Sequence, residues 1–144
     1  MIREVREKDL HDLLQLYMQL HDNPMPEFTK ELSELWESIL EDKNHHIIVA
    51  EEEGRIVSSC VCVIIPNLTR SQRPYAFVEN VITDEAYRRK GLASACLDYA
   101  KRLAEKENCY KMMLLTGSRE EGTLRFYERA GYNRNDKTAF IQWL

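Results

Sequence analysis

Three cations in succession, Arg88, Arg89 and Lys90, stand directly before Gly91 and a helix-forming run in "YRRKGLASA". The N-terminus of a helix carries partial positive charge and unpaired N–H groups, so it favours anions over cations. Stacking cations there makes chemical sense when a bound anion offsets their repulsion. A polyphosphate suits the place: glycine lets the backbone approach closely, Ala93 and Ser94 keep the first turn small, and the cations recruit charge. Two familiar phosphate loops are excluded. No Gly-Lys-Ser or Gly-Lys-Thr occurs, as a P-loop needs, and a dinucleotide fingerprint needs three glycines where this loop has one.

The elements that must hold this loop can be read from periodicity. "MIREVR" alternates as a short opening strand, and Leu10, Leu13, Leu14, Tyr17, Met18 and Leu20 recur at helical spacing with Asp9 available as a cap. Pro24 and Pro26 break that helix, and a second amphipathic one follows from Thr29, an N-cap. "HHIIVAEEEGRIVSSCVCVII" reads as two strands around a turn at Glu53-Gly54. Along the second, Val57, Val61, Val63 and Ile65 are expected on one face, with Ile56, Cys60, Cys62 and Ile64 on the other, so both faces are covered. "YAFVENVIT" is a strand leading into the basic loop, Gly91 to about Glu107 a helix, "YKMMLLT" a strand, and Gly122 to Ala130 a helix ended by Gly131 at C′. The tail "TAFIQWL" is expected to close as a strand. The order describes one mixed α/β domain over residues 1–144.

The bulk composition agrees. The chain has 144 residues, 44% apolar and 31% charged, with a net charge of −4 that argues against nucleic acid as a partner. No stretch is long and apolar enough to span a bilayer, and no signal core opens the chain. Cys60, Cys62, Cys96 and Cys109 lack zinc spacing and look like free thiols of a reducing compartment, so a cytoplasmic protein is expected. His45-His46 opens a strand without a third ligand and reads as solvated, so no metal is expected. Trp36 and Trp143 read as core or interface aromatics.

"RRKGLA" fits the R-x-x-G-x-[GA] pyrophosphate loop of the GNAT superfamily of acetyl-CoA-dependent N-acetyltransferases. The surrounding "VENVITDEAYRRKGLASACLDYAKRLAE" resembles that family's strand–loop–helix, and "LRFYERAGY" resembles its downstream F-Y-x-x-x-G-[FY] signature. The resemblance covers the whole chain. It implies a mostly antiparallel central sheet with a splayed parallel strand pair, flanked by about four helices. It further implies acetyl-CoA as cosubstrate, with the N–H groups of Arg88, Arg89, Lys90, Gly91, Leu92, Ala93 and Ser94 cradling the pyrophosphate. Val81, Ile82 and Thr83 would line the pantetheine arm, and an N–H near Val81 would polarise the thioester carbonyl. Phe126 belongs to the coenzyme-binding signature.

Two proton transfers remain. An alkyl amine must lose a proton before it attacks, and Glu79 is the base the resemblance favours, directly or through water. It stands one strand-step from Val81 on the same face unless a β-bulge intervenes. Tyr127 matches the family's tyrosine that faces the departing sulfur. The family often carries an asparagine before its last helix; here "TGSREEGTL" offers Ser118 or Arg119 instead. "ENCYKMMLL" and "VENVIT" look similar to glucosamine-phosphate acetyltransferases, which carry two acids where this chain has Glu79-Asn80. The acceptor is expected to be a small-molecule amine, shaped by "HDNPMPEF" and "NLTRSQRP", with Arg70 and Arg73 available to an acidic group. A peptide or protein amine ranks second. An acyl-CoA-binding sensor is the non-enzymatic rival. The apolar tail "FIQWL" is a candidate homodimer contact.

Overall fold

A computed structural model describes all residues, 1–144. Its centre is a five-stranded sheet in the order β1 (Ile2–Glu4), β2 (His45–Glu52), β3 (Arg55–Ile65), β4 (Tyr75–Thr83), β5 (Met112–Leu114). The first four strands are antiparallel neighbours, and β5 joins β4 in parallel. Helices α1 (Leu10–Tyr17) and α2 (Lys30–Glu41) supply Leu13, Leu16 and Trp36 to a core on one face. Helix α3 (Leu92–Lys106) covers the other face with Cys96, Leu97, Ala100 and Ala104, joined by Phe126 and Tyr127 of α4 (Glu121–Arg129). The mixed α/β arrangement follows from strands that are apolar on both sides and helices that are apolar on one.

Local signals explain most boundaries. The Thr29 hydroxyl accepts the Leu32 N–H at 3.2 Å and starts α2. Glu53 and Gly54 both take left-handed backbone angles (φ 51° and 76°), the mirror-image turn that matches strand twist. At the end of α4, Gly131 (φ 103°) donates to the Glu128 carbonyl and Tyr132 donates to that of Tyr127, a double C-terminal closure. That closure folds Tyr132 back until its ring meets Tyr127 edge-on at 6.4 Å.

Several expectations are corrected. Asp9 does not cap α1; its carboxylate accepts from the Arg6 N–H at 2.7 Å and from the Arg3 guanidinium at 2.6 Å. A bulge sets Val57 against the α3 face beside Cys60, Cys62 and Ile64, and Ile56 on the α1/α2 face beside Val61 and Val63. The extra residue reverses the alternation, which counting by twos cannot detect. His46 is not solvated: it is largely buried and its Nδ1 pairs with Glu4. The tail forms no strand, and Trp143 stands 86% exposed while Trp36 is core and donates to the Glu7 carbonyl at 3.0 Å.

The Arg3 guanidinium, which also donates to Glu51 at 2.8 Å, fastens β1 to both β2 and the turn before α1. Burial works to raise the Asp9 carboxyl, but the Arg3 and Arg6 hydrogen bonds outweigh it and hold it below its ordinary value. Asp9 is only 5% exposed, so Asp9→Asn leaves a buried guanidinium short of its partner and should cost about 3 kcal/mol at neutral pH. A carboxyl depressed by folding stabilises above its unfolded pKa of about 3.9 and loses that effect as pH falls through the folded value. Denaturant melts of the two proteins should therefore converge below about pH 4.

Candidate active site

Parallel pairing between β4 and β5 runs only from Ala76–Met112 to Val78–Leu114, after which β5 ends and β4 continues to Thr83. The β5-facing edge of β4 is therefore unpaired from Glu79 onward. A second irregularity lies at the same place. Asn80 takes φ 50°, and Asn80 with Val81 stands against the single residue Cys60 of β3. This bulge changes which face each side chain takes. Glu79 is opposite Val61, on the α1/α2 face, whereas Val81 packs with the α3/α4 core. The two are thus not on one face as plain alternation expects.

Beyond β4 the Asp84 carboxylate accepts the Ala86 N–H at 2.9 Å and forms a short 3-10 turn, Glu85–Tyr87. Gln19, from the end of α1, donates to the same carboxylate at 3.1 Å and accepts the Glu85 N–H at 3.0 Å. The chain then enters the basic loop through left-handed angles at Arg89 (φ 62°) and Gly91 (φ 77°). Such alternation points successive N–H groups into one concavity. None of the backbone N–H groups from Arg88 to Ser94 has an acceptor within the chain. Ala95, bonded to the Gly91 carbonyl, is the first to be satisfied. A Cβ on Gly91 would meet nothing within 4 Å, so its left-handed angle is what calls for glycine.

The three cations have different surroundings. Arg88 turns back and donates to the Thr83 carbonyl at 3.3 Å, and the Lys90 ammonium lies 4.7 Å from the centre of the Tyr87 ring. Arg89 makes neither contact. No carboxylate pairs with any of them, although the chain is acidic overall.

These amides open into a cavity of about 610 Å³. Its wall includes Val81, Ile82, Thr83, Arg88, Arg89, Gly91, Leu92, Ala93, Ser94, Phe126 and Tyr127. Lys90, Glu79 and Ser118 lie outside it. Ser118 sits in the turn before α4, where its hydroxyl accepts the Glu120 N–H at 3.2 Å. Four further wall residues, Tyr87, Gly122, Thr123 and Arg129, fall within the quoted stretches but at none of the positions that define the motifs. Gly122 and Thr123 begin α4, which presents a second helix N-terminus to the cavity. Only the packing of α4 beside α3 brings them there.

Tyr127 forms part of the wall. Its ring meets Phe126 at 5.1 Å, and its phenol is pushed up, first by burial and then by the nearby Cys60 and Glu79. A phenol shifted this way stays protonated at neutral pH and can donate a proton. Glu79 pairs opposite Val61 on the α1/α2 face, whereas Tyr127 packs with the α3 core on the other face of the sheet. The neighbouring thiols are kept inert. Burial pushes Cys60 well up, Cys62 to about 12 and Cys96 to about 11. Arg73, a candidate for an acidic acceptor, is instead committed to the carbonyls of Asn108 and Cys109 at 3.1 and 3.0 Å. No three His, Cys, Asp or Glu side chains converge, and no helix is long and apolar enough to cross a membrane.

Comparison with known proteins agrees with this geometry. A solved structure from Agrobacterium tumefaciens str. C58, assigned as an acetyltransferase, is 37% identical, covers 99% of both chains and superposes with a TM-score of 0.91. A glucosamine 6-phosphate N-acetyltransferase of Trypanosoma brucei brucei is 33% identical over 84 residues, 58% of this chain and 55% of the relative. An uncharacterised N-acetyltransferase of Methanocaldococcus jannaschii is 26% identical over 99% of this chain and 64% of the relative. The chain thus spans only 55% to 64% of the lengths of these two curated relatives. The family model described as "Acetyltransferase (GNAT) family" matches residues 8–132, and the chain belongs to that family.

Proposed function

We propose that this chain moves an acetyl group from acetyl-CoA to the primary amine of a small molecule, by direct attack while both are bound. One observation carries the reading: the run of unpartnered amides from Arg88 to Ser94 opens into a cavity whose wall includes the Tyr127 phenol. Those amides and the three uncompensated cations suit a pyrophosphate, and the unpaired edge of β4 at Val81, Ile82 and Thr83 suits an amide-bearing arm laid alongside it. Acetyl-CoA supplies the activated acyl group as a thioester. The Val81 N–H, on the bulge, is the donor for the carbonyl oxygen.

Glu79 and Tyr127 divide the proton work. Glu79, on the α1/α2 side of the gap, takes a proton from the incoming ammonium, directly or through a water, and frees the lone pair. The amine nitrogen then bonds to the acyl carbon as the carbon–sulfur bond breaks, and its second proton is given up to the phenolate left when Tyr127 protonates the sulfur, or to solvent. Tyr127, on the opposite side, gives a proton or a hydrogen bond to the departing sulfur. Acceptor and donor therefore approach from opposite faces of the sheet and meet in the gap. A phosphorylated amino sugar is a second reading of the acceptor, favoured by the partial match to a glucosamine 6-phosphate enzyme. The chain is read as a single domain acting in the cytoplasm.

The direct test is release of coenzyme A thiol from acetyl-CoA across a panel of amines, glucosamine 6-phosphate included. Turnover with some member is expected, while coenzyme binding without any turnover would point to a sensor. Gly91→Val should weaken acetyl-CoA binding about 10–100-fold in calorimetry, since it distorts the amide cradle, while left-handed strain costs only about 1–2 kcal/mol of stability. Tyr127→Phe should lower kcat about 100-fold and leave the acetyl-CoA Kd within a few-fold. Glu79→Gln should slow turnover most at neutral pH, and the deficit should shrink as pH nears about 10, where the amine loses its proton unaided.

A further inference from the structure

A second cavity, of about 340 Å³, lies beside the turn that precedes the basic loop, and no residue lines both it and the larger cavity. Leu16 of α1 and Ile56 of β3, both buried, supply its apolar lining. Its polar lining comes from three separate places: Asp12 and Gln15 on α1, Arg55 at the head of β3, and Asp84 after β4. The volume falls at the lower end of small-molecule sites, about 300–1,000 Å³.

The charges of this lining do not satisfy one another. Arg55 makes no hydrogen bond and no ion pair within the chain, although two carboxylates line the same cavity. Asp12 has only His11, its neighbour on α1, at 3.7 Å. A ligand carboxylate suits the Arg55 fork, which gives two parallel hydrogen bonds, and a ligand ammonium suits the carboxylates. The Gln15 amide can both donate and accept. A nucleotide suits poorly, because two acids stand against one cation. We infer that this cavity is a second ligand site, for a small zwitterion of the α-amino acid class, and that its occupant tightens acetyl-CoA binding. Arg55 takes the carboxylate, and Asp12 and Asp84 take the ammonium.

The link to the coenzyme runs through Asp84 and rests on the basic loop being the pyrophosphate cradle. Asp84 Oδ1 accepts the Ala86 N–H at 2.9 Å, and Oδ2 accepts from the Gln19 amide at 3.1 Å. A carboxylate has room for about four hydrogen bonds, so an ammonium adds to these two without displacing either. The added bond fixes the turn from which the chain enters the loop of open amides. Linkage is reciprocal, so acetyl-CoA tightens the zwitterion by the same factor.

Calorimetric titration with the common L-amino acids, without acetyl-CoA or turnover, should find at least one with a Kd at or below about 1 mM. The C-terminal amide and the N-acetyl derivative of that amino acid should each bind at least about 10-fold more weakly, since each loses one charge. Arg55→Gln and Asp12→Asn should weaken it similarly without changing the circular dichroism, as neither side chain makes a hydrogen bond in the chain. The amino acid should lower the acetyl-CoA Kd about 5-fold in the wild type and leave it unchanged in Arg55→Gln. No binder, a binder indifferent to Arg55→Gln, or one bound as well in its amide form would overturn the site. Affinity lost with Glu79→Gln instead would put the amino acid in the reacting gap and overturn it too. An acetyl-CoA Kd that does not respond would overturn the coupling. Failure to bind acetyl-CoA at all would overturn the cradle and the coupling together, and leave the zwitterion site to the first titration.

Discussion

The early end of one strand pairing sets up the rest of this molecule. Backbone N–H and C=O groups are nearly always satisfied in folded proteins, and a sheet is the cheapest way to satisfy them. Here β4 outruns β5 by five residues, from Glu79 to Thr83, and twists out of register with β3 at the same place. The left-handed Asn80 is held there because Ile82 and Thr83 re-engage β3 beyond it, with the Ser58 hydroxyl donating to the Ile82 carbonyl at 3.1 Å. One opening thereby joins the two layers of helices, and it places a carboxylate and a phenol on opposite sides of a single gap.

A second set of open groups lies at the head of α3. The fold keeps it open by tying down the approach rather than the loop. Asp84 and Gln19 join the turn before the loop to the end of α1, and Arg88 fastens to Thr83. Arg89, Gly91 and the first turn of α3 make no such bonds. Rigid supports around unpaired donors are what a site needs if its charge partner comes from solution.

Much of this was legible in the residues because it is local. Thr29, the Glu53-Gly54 turn and Gly131 each announce a backbone angle or cap through their own chemistry, and the structure puts each in that role, whereas Gly91, read for close approach to an anion, is called for by its left-handed angle. The basic loop was legible because its charge stands at the wrong helix end. What stayed hidden depends on counting or on distance. The bulges at Val57 and Asn80 insert a residue without any marker and reverse the faces of their strands. Gly122, Thr123 and Arg129 reach the cavity only through helix packing. The tail has the composition of a strand, but its own sheet does not take it in.

The buried cysteines have a kinetic consequence. Burial raises the Cys60 thiol beside Tyr127, which makes it a poor nucleophile and a poor place to hold an acetyl group. Under the proposed acetyl transfer these thiols would not carry the acetyl group between two half-reactions. Donor and acceptor would then be bound together, and initial-rate lines for one substrate at fixed levels of the other would intersect rather than run parallel.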